Sequence, residues 1–239
     1  MVEYSGISNP GWTFTKKRMF QIAEMFKFIE EKNPDEEFNY IKFQQELEKA
    51  SEMLDGSKIR MFYPWFTRFG LFYPTKTVKV YGDLCTNLGK QFGKFVLFYL
   101  EVNNKIEECD DKQIEAINNM YRAFMFEFFK NVCKSDRKEI YVELKKWVGE
   151  FNVLSKEEFF LLTTKVKCQY SDEWFREQIR SYRNHEFSFD IMTIKKDRNA
   201  FGYIVPFCVE AGIVRWSQRD NQITPARDIN FEGEIEDDI

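Results

Sequence analysis

The sequence lacks most of the residues from which metal sites and nucleophilic active sites are built. It contains one histidine, His185, and its five cysteines are widely separated, with no CxxC pair. A zinc site of the usual Cys/His kind is therefore excluded, and His185 has no evident Ser or Cys partner. The phosphate-binding patterns GxxxxGKS/T and GxGxxG are missing as well. We expect no cofactor and no small-molecule ligand for this chain.

Long apolar runs are also lacking. No run of about 18 apolar residues, the length of a membrane span, occurs in the sequence. Charged residues, among them Glu3, Lys16 and Arg18, interrupt the first thirty positions, where a signal peptide would need an apolar core. Together with an odd number of scattered cysteines, which is typical of reduced thiols, these features predict a cytoplasmic protein.

Aromatic residues, in contrast, are abundant, with 26 Phe, 11 Tyr and 5 Trp. Because each of these side chains buries a large area, 239 residues can form one large or two small domains without disulfides. The net charge is −4, but the charges are segregated. Between positions 57 and 95 there are seven basic residues and one acidic residue, Asp83, whereas the last twenty residues contain seven acidic residues and one basic residue, Arg227. This segregation permits a DNA-binding surface, and equally an ordinary solvated face.

The hydrophobic pattern predicts a mainly helical protein with short β-hairpins. Residues 1–12 include Gly6, Asn9, Pro10 and Gly11, which predict an irregular arm. Apolar residues at helical spacing, with capping and stop residues around them, predict a series of helices. Their approximate bounds are 13 or 15 to 31, 38–54, 57–68, 86–100, 112–133, 138–151, 155–166, 172–182 and 198–211.

Two of these helices end at a glycine, Gly70 or Gly212, and each is followed by a predicted hairpin. The hairpins comprise residues 71–73 with 77–81, and residues 213–216 with 222–224. Helices followed by a hairpin indicate a winged helix, a member of the helix-turn-helix group. We therefore predict tandem winged-helix subdomains at 13–107 and 108–227, with the arm 1–12 before them and an acidic tail or linker at 228–239.

The two predicted units place cations where a winged helix meets DNA. The start of its third helix faces base edges in the major groove, and the wing reaches phosphates or the minor groove. The candidates in the first unit are Ser57, Lys58, Arg60, Lys76 and Lys79. Those in the second unit are Lys195, Lys196, Arg198, Asn199, Arg215 and Arg219, with Arg227 nearby. Ordinary exposed charges at helix starts and turns would give the same pattern.

One short fragment could suggest catalysis. Glu143 and Lys145 have the spacing of the ExK half of a metal-dependent nuclease site, and Asp136 is the nearest upstream acid. That motif requires a strand, whereas the apolar residues around Glu143 recur at helical spacing. We therefore expect a coincidental match and no catalytic activity in this chain alone.

Three stretches carry a family resemblance. They are the arm Gly6 to Trp12, with its Asn-Pro-Gly; Phe62 to Gly70 with the hairpin and the segment Leu84 to Lys90; and Leu154 to Phe159 followed by Asp172 to Arg183. These stretches resemble the DNA-recognition portion of type IIS restriction endonucleases of the FokI and AlwI kind. The resemblance implies winged-helix recognition of a short asymmetric DNA site, with Asn9 and Trp12 of the arm added to the contacting residues.

The resemblance also implies a nuclease partner. Enzymes of this family continue into a separate nuclease domain, for which this sequence supplies no counterpart, so Mg²⁺ would belong to that separate domain or subunit. Three other functions stay open. They are a winged-helix transcriptional regulator acting as a dimer on a symmetric site, a protein-interaction module built on the same scaffold, and an active nuclease using Glu143 and Lys145.

Overall fold

The computed structural model describes residues 4–8, 11–104, 109–194 and 197–226. Over these residues the protein is mainly helical with one small antiparallel sheet, which confirms the coarse fold class. The helices are α1 Lys16–Glu30, α2 Tyr40–Ala50, α3 Gly56–Arg68, α4 Asn87–Asn104, α5 Asp111–Val132, α6 Lys138–Phe151, α7 Lys156–Cys168, α8 Asp172–Arg183 and α9 Ala200–Glu210. The strands are β1 Val214–Ser217 and β2 Gln222–Pro225.

The chain divides into two compact units. The first unit comprises Thr13–Asn131, and the second comprises residues 1–12 together with 132–239. Helix α5 belongs to the first unit because its aromatic residues pack among those of earlier elements, with Phe128 at 5.2 Å from Phe69 and 4.9 Å from Phe92 between ring centroids. The sequence pattern instead predicts that a subdomain starts at residue 108.

The core of the first unit is built from phenylalanines. Phe66, Phe69, Phe92 and Phe128 are fully buried, and Phe26 is nearly so. Most of their ring pairs are tilted or edge-on, the arrangements that aromatic quadrupoles favour. Helix α1 lies along α4 in this core.

The predicted hairpin over residues 71–81 is wrong. Phe72 forms a single bridge with Cys85, and Val80 forms one with Glu37, so the two halves of the segment have different partners. The Tyr73 amide donates to the Leu84 carbonyl at 3.0 Å, and the Phe38 amide donates to the Lys79 carbonyl at 2.8 Å. The reason is burial: these pairings bring Val78 and several neighbouring apolar side chains into the core, which a free-standing hairpin would leave exposed.

The hairpin predicted in the second unit is confirmed. Strands β1 and β2 pair antiparallel, with Arg215 opposite Thr224 and Trp216 opposite Ile223. A third segment joins them, because the Leu154 and Ile223 backbones exchange two hydrogen bonds of 2.9 and 2.7 Å. Leu154 and Ile223 are both fully buried, so this pairing lies over the core of the unit.

The ends of α3 and α9 have the same hydrogen bonds, so the helix end and the glycine turn of the predicted repeat are present at both Gly70 and Gly212, but a hairpin follows only Gly212. The Leu71 amide donates to Phe66 O at 2.8 Å, and the Ile213 amide donates to Cys208 O at 2.9 Å. Both glycines adopt a left-handed conformation, with φ of 75° and 71°. In each unit the segment after this turn also forms a bridge with a loop between two helices. Val80 pairs with Glu37, between α1 and α2, and Ile223 pairs with Leu154, between α6 and α7.

Candidate nucleic-acid interface

The carboxylate of Asp55 caps the start of α3 and also forms an ion pair with Lys58, one of the predicted DNA-contacting cations. Asp55 caps the helix by accepting from the Lys58 amide at 2.9 Å, and the Ser57 hydroxyl also donates to it. The Lys58 ammonium lies 2.7 Å from Asp55 Oδ2 and 3.1 Å from the Met53 carbonyl. Its hydrogen bond holds the pKa of Asp55 well below the usual range. Lys58 is therefore a structural cation of the cap as the protein stands.

Arg60 differs from Lys58. Its side chain is exposed, and among the described residues it has no ion-pair partner. Its charge acts on the Tyr40 hydroxyl, whose pKa is raised by burial and partly lowered again by Arg60. Tyr40 packs edge-on against Tyr63 at 5.1 Å, and the Tyr63 hydroxyl donates to the Tyr73 carbonyl at 3.0 Å. Arg60 therefore lies near the Tyr40 and Tyr63 rings, and no carboxylate among the described residues pairs with it.

The outer face of α3 is free of acidic residues. Ser57, Arg60 and Pro64 are exposed on it, and Thr67 and Arg68 are half-buried further along. Arg68 lies over the ring of Trp65 at 5.0 Å. Lys76 and Lys79 are exposed in the loop after this helix, which is the segment without the predicted hairpin.

The second predicted cluster is only partly described. Lys195 and Lys196, like Asn9 and Arg227, lie outside the described residues, as does the acidic tail at 228–239. Arg198 and Asn199 are exposed immediately before α9. The Arg198 guanidinium donates a long hydrogen bond of 3.4 Å to the Met192 carbonyl, and the Asn199 side chain does not cap the helix.

The hairpin of the second unit presents two more of the predicted arginines. Arg215 is exposed on β1, opposite Thr224, and Arg219 is exposed in the turn between the strands. That turn is held by the Ser217 hydroxyl, which donates to Asp220 at 2.6 Å, and by a left-handed Asn221. The Asn221 amide donates to Glu157 at 2.7 Å, which ties the turn to the start of α7.

The exposed face of α9 does not match that of α3 in charge. Gly202 and Pro206 are exposed on α9, and Tyr203 and Val209 are 36% and 39% exposed. Only Glu210, at its end, carries a charge among the residues of this helix. The candidate DNA-contacting cations of the second unit therefore lie before α9 and on the hairpin, not along the helix.

Trp12 and the visible part of the arm are anchored. Trp12 is 2% exposed, so its ring is part of the core rather than of a surface that a duplex could reach. Ser5 is bound to α7 through its backbone, donating to Thr164 Oγ1 at 3.0 Å and accepting from Thr163 Oγ1 at 2.8 Å. The Lys167 ammonium reaches the Ser5 hydroxyl at 2.6 Å.

The fragment that resembled a nuclease site lies on helix α6, and its carboxylate is engaged. Glu143 Oε2 accepts from the Trp147 indole at 2.6 Å and from the buried Lys165 ammonium at 2.7 Å. Lys165 also lies 3.0 Å from Asp172. Glu143 is thus one member of a partly buried structural network around Lys165. No group of three or more His, Cys, Asp or Glu within the described ranges is placed to hold a metal ion.

Sequence reasoning missed two features. The first is the charge network around Trp147, whose members are far apart in the chain and leave no local signal. The second is a proline inside each of the repeated helices, Pro64 in α3 and Pro206 in α9, at the same distance from the glycine turn. The two prolines can be found in the sequence itself, and they add one identical residue to the internal repeat.

No protein-family model matches this chain, and no curated protein or solved structure matches it significantly. None of the described helices is both long and apolar enough to cross a bilayer.

Proposed function

We propose that this chain binds double-stranded DNA in a sequence-specific manner, with a helical first unit and a winged-helix-like second unit, as the recognition part of a type IIS-like restriction endonuclease acting in the cytoplasm. The observation that carries the proposal is the outer face of α3. It is free of acidic residues, follows a carboxylate-capped start, and includes Arg60 without an ion-pair partner among the described residues. Arginine in this position suits a bidentate contact with guanine.

The two units have different parts in this proposal. In the first unit Arg60 reads base edges, while Lys76 and Lys79 hold phosphates from the loop after α3. In the second unit the cations before α9 and on the hairpin hold phosphates, since the exposed face of α9 carries no cation. Lys58 would contribute only where DNA displaces it from Asp55, and such an exchange of ion pairs gains little free energy.

The test is enrichment of random duplex DNA on the purified chain, followed by sequencing and binding titrations at several salt concentrations. We expect one asymmetric site and an affinity that falls steeply with salt, because binding releases counterions from phosphates. Arg60→Gln should weaken binding by about 1–3 kcal/mol and relax the preference at one base pair.

A matched control is Arg122→Gln, which removes the same charge from an exposed position on α5 of the same unit. It should leave the preference for each base unchanged. The proposal fails if no sequence is enriched, or if Arg60→Gln and Arg122→Gln have equal effects. A symmetric site bound by a dimer would instead support the transcriptional regulator.

A second candidate function rests on α9. Its exposed face combines Tyr203, Pro206 and Val209 without a cation, and aromatic and apolar surfaces of this kind are typical of protein interfaces. If this face binds the nuclease domain or another protein, Tyr203→Ser and Val209→Ser should abolish that association and leave DNA enrichment intact. Loss of both activities together would point to misfolding, which circular dichroism would detect.

A further inference from the structure

A cleft in the first unit has an apolar floor and a cationic edge. It lies between the end of α1, the turn at Pro34, residues 81–85 and the start of α4, and has a volume of about 370 Å³. Phe26, Ile29, Tyr81 and Cys85 line it, all of them buried. This volume lies at the lower end of the range of pockets that take small molecules.

The edge of the cleft carries two available ammonium groups. Lys90 and Lys94 are four residues apart on α4 and so lie on one face of that helix. Both are exposed, and within the described ranges neither forms an ion pair. The third lysine at the cleft, Lys32, is already bound to Glu46 at 2.6 Å. The lone carboxylate among the lining residues is Glu30, so the free charge of this edge is positive.

Two of the residues that line the cleft, Tyr81 and Cys85, carry an uncharged polar group. The Tyr81 hydroxyl is enclosed and has no hydrogen-bond partner among the described residues. Burial raises its pKa to about 12, with Glu46 and Glu36 adding to the effect, so it stays protonated and able to donate. Cys85 next to it is likewise kept as the neutral thiol by burial. Neutral floor groups and cationic edge groups together favour a ligand with an apolar body and one negative end.

We propose that this cleft binds a small amphipathic anion, an apolar group carrying a single carboxylate or phosphate, with its apolar part on Phe26, Ile29 and Tyr81 and its charge at Lys90 and Lys94. The site is independent of the DNA-binding proposal and is tested without DNA.

The experiment is a titration of the isotope-labelled full chain with octanoate, followed by amide chemical shifts. Shifts should be confined to residues around the cleft, 26–34 and 81–94. The double variant Lys90→Gln/Lys94→Gln should weaken binding by about tenfold or more, since two charge contacts of moderate strength are lost. Phenyl phosphate, titrated in the same way, distinguishes a phosphate ester from a carboxylate as the preferred negative end.

Two controls make the result decisive. Lys16→Gln/Lys17→Gln removes the same charge from exposed positions at the start of α1 and should bind octanoate as the wild type does. Octanol, which has the same chain without the charge, should bind more weakly than octanoate. The proposal is overturned if octanol binds as tightly, if the shifts lie elsewhere, if neither anion binds, or if the Lys90/Lys94 variant keeps its affinity.

Discussion

Several charged residues of the second unit pair with one another inside the fold. The buried Lys165 is held by Glu143 and Asp172, and Glu158, 3% exposed, accepts two hydrogen bonds from Arg183 at 2.6 and 3.2 Å. Glu158 also closes a capping box with the Ser155 amide. A buried charge needs such partners because its desolvation is otherwise too costly. Neighbouring acidic and basic residues in this unit are therefore better explained as structural ion pairs than as catalytic groups.

Asp172→Asn tests this network through pH. Hydrogen bonds from Lys146 and Lys165 hold the pKa of Asp172 below its ordinary value of 3.8. The unfolded chain thus binds this proton more readily than the folded one, so the stabilisation is present above about pH 4 and is lost as pH falls through the lowered pKa. We expect the variant to lose about 1–2 kcal/mol of unfolding free energy at neutral pH, and less near pH 3.

Urea unfolding at the two pH values measures this difference. Glu173→Gln is the control, since that side chain is 77% exposed and makes one long ion pair with Arg176 at 3.8 Å. Equal losses for Asp172→Asn at both pH values would show that the carboxylate charge is not what stabilises the fold.

At the scale of secondary-structure elements, the glycine turn after α3 packs against α5. The Asn131 amide donates to the Phe69 carbonyl at 2.9 Å, satisfying a carbonyl at the helix end that no residue of α3 can reach. A Cβ on Gly70 would lie 2.6 Å from the same Asn131 amide nitrogen. Glycine is therefore required at position 70 for two reasons: the backbone is left-handed there, and α5 approaches closely.

Gly70→Ala should lower the free energy of unfolding by about 1–3 kcal/mol, because alanine is strained at this φ and collides with Asn131. The matched variant is Gly149→Ala. A Cβ there meets nothing within 4 Å, and the residue lies inside α6, so this change should stabilise by up to about 1 kcal/mol. Denaturant titration measures the free energy of unfolding of both variants. A Gly70→Ala protein as stable as the wild type would contradict the requirement for glycine at this turn.

At the scale of the whole molecule, one of the two units is continuous in sequence and the other is discontinuous. The first unit is one uninterrupted stretch, Thr13–Asn131, whereas the second needs residues from both sides of it. Ser5 provides the reason, since its backbone satisfies the buried hydroxyls of Thr163 and Thr164 on α7. Gly6 lies so close to Asp197 that a Cβ would be 1.9 Å from the Asp197 carbonyl oxygen.

Deleting residues 1–8 should destabilise the second unit and leave the first unchanged. Thr163 and Thr164 would lose Ser5 as a partner, and the Lys167 ammonium would lose the Ser5 hydroxyl. Hydrogen exchange followed by mass spectrometry should show faster exchange in α7, with protection of α1 and α4 unchanged. Uniform loss of protection in all helices, or none in α7, would refute this division of the chain.

The helix bounds could be predicted from the sequence because their signals are local. The residues before several helices accept hydrogen bonds from backbone amides within the next three positions, so capping residues and apolar spacing are enough. These caps are Thr15, Asn39, Asp55, Ser155 and Ser171. The glycine turns at Gly70 and Gly212 are equally local, which is why the repeat was detectable without any structure.

Only the tertiary structure decided how residues 71–81 pair and which candidate cations are free. Val80 pairs with Glu37 rather than within its own segment, since the strand partner is selected by the apolar side chains that become buried with it. In the same way Lys58 and Arg60 look alike in the sequence, yet Asp55 binds one and leaves the other available. The sequence determined the helices, the turns and the overall charge pattern. The availability of each charge depends on distances between side chains that only the folded chain sets.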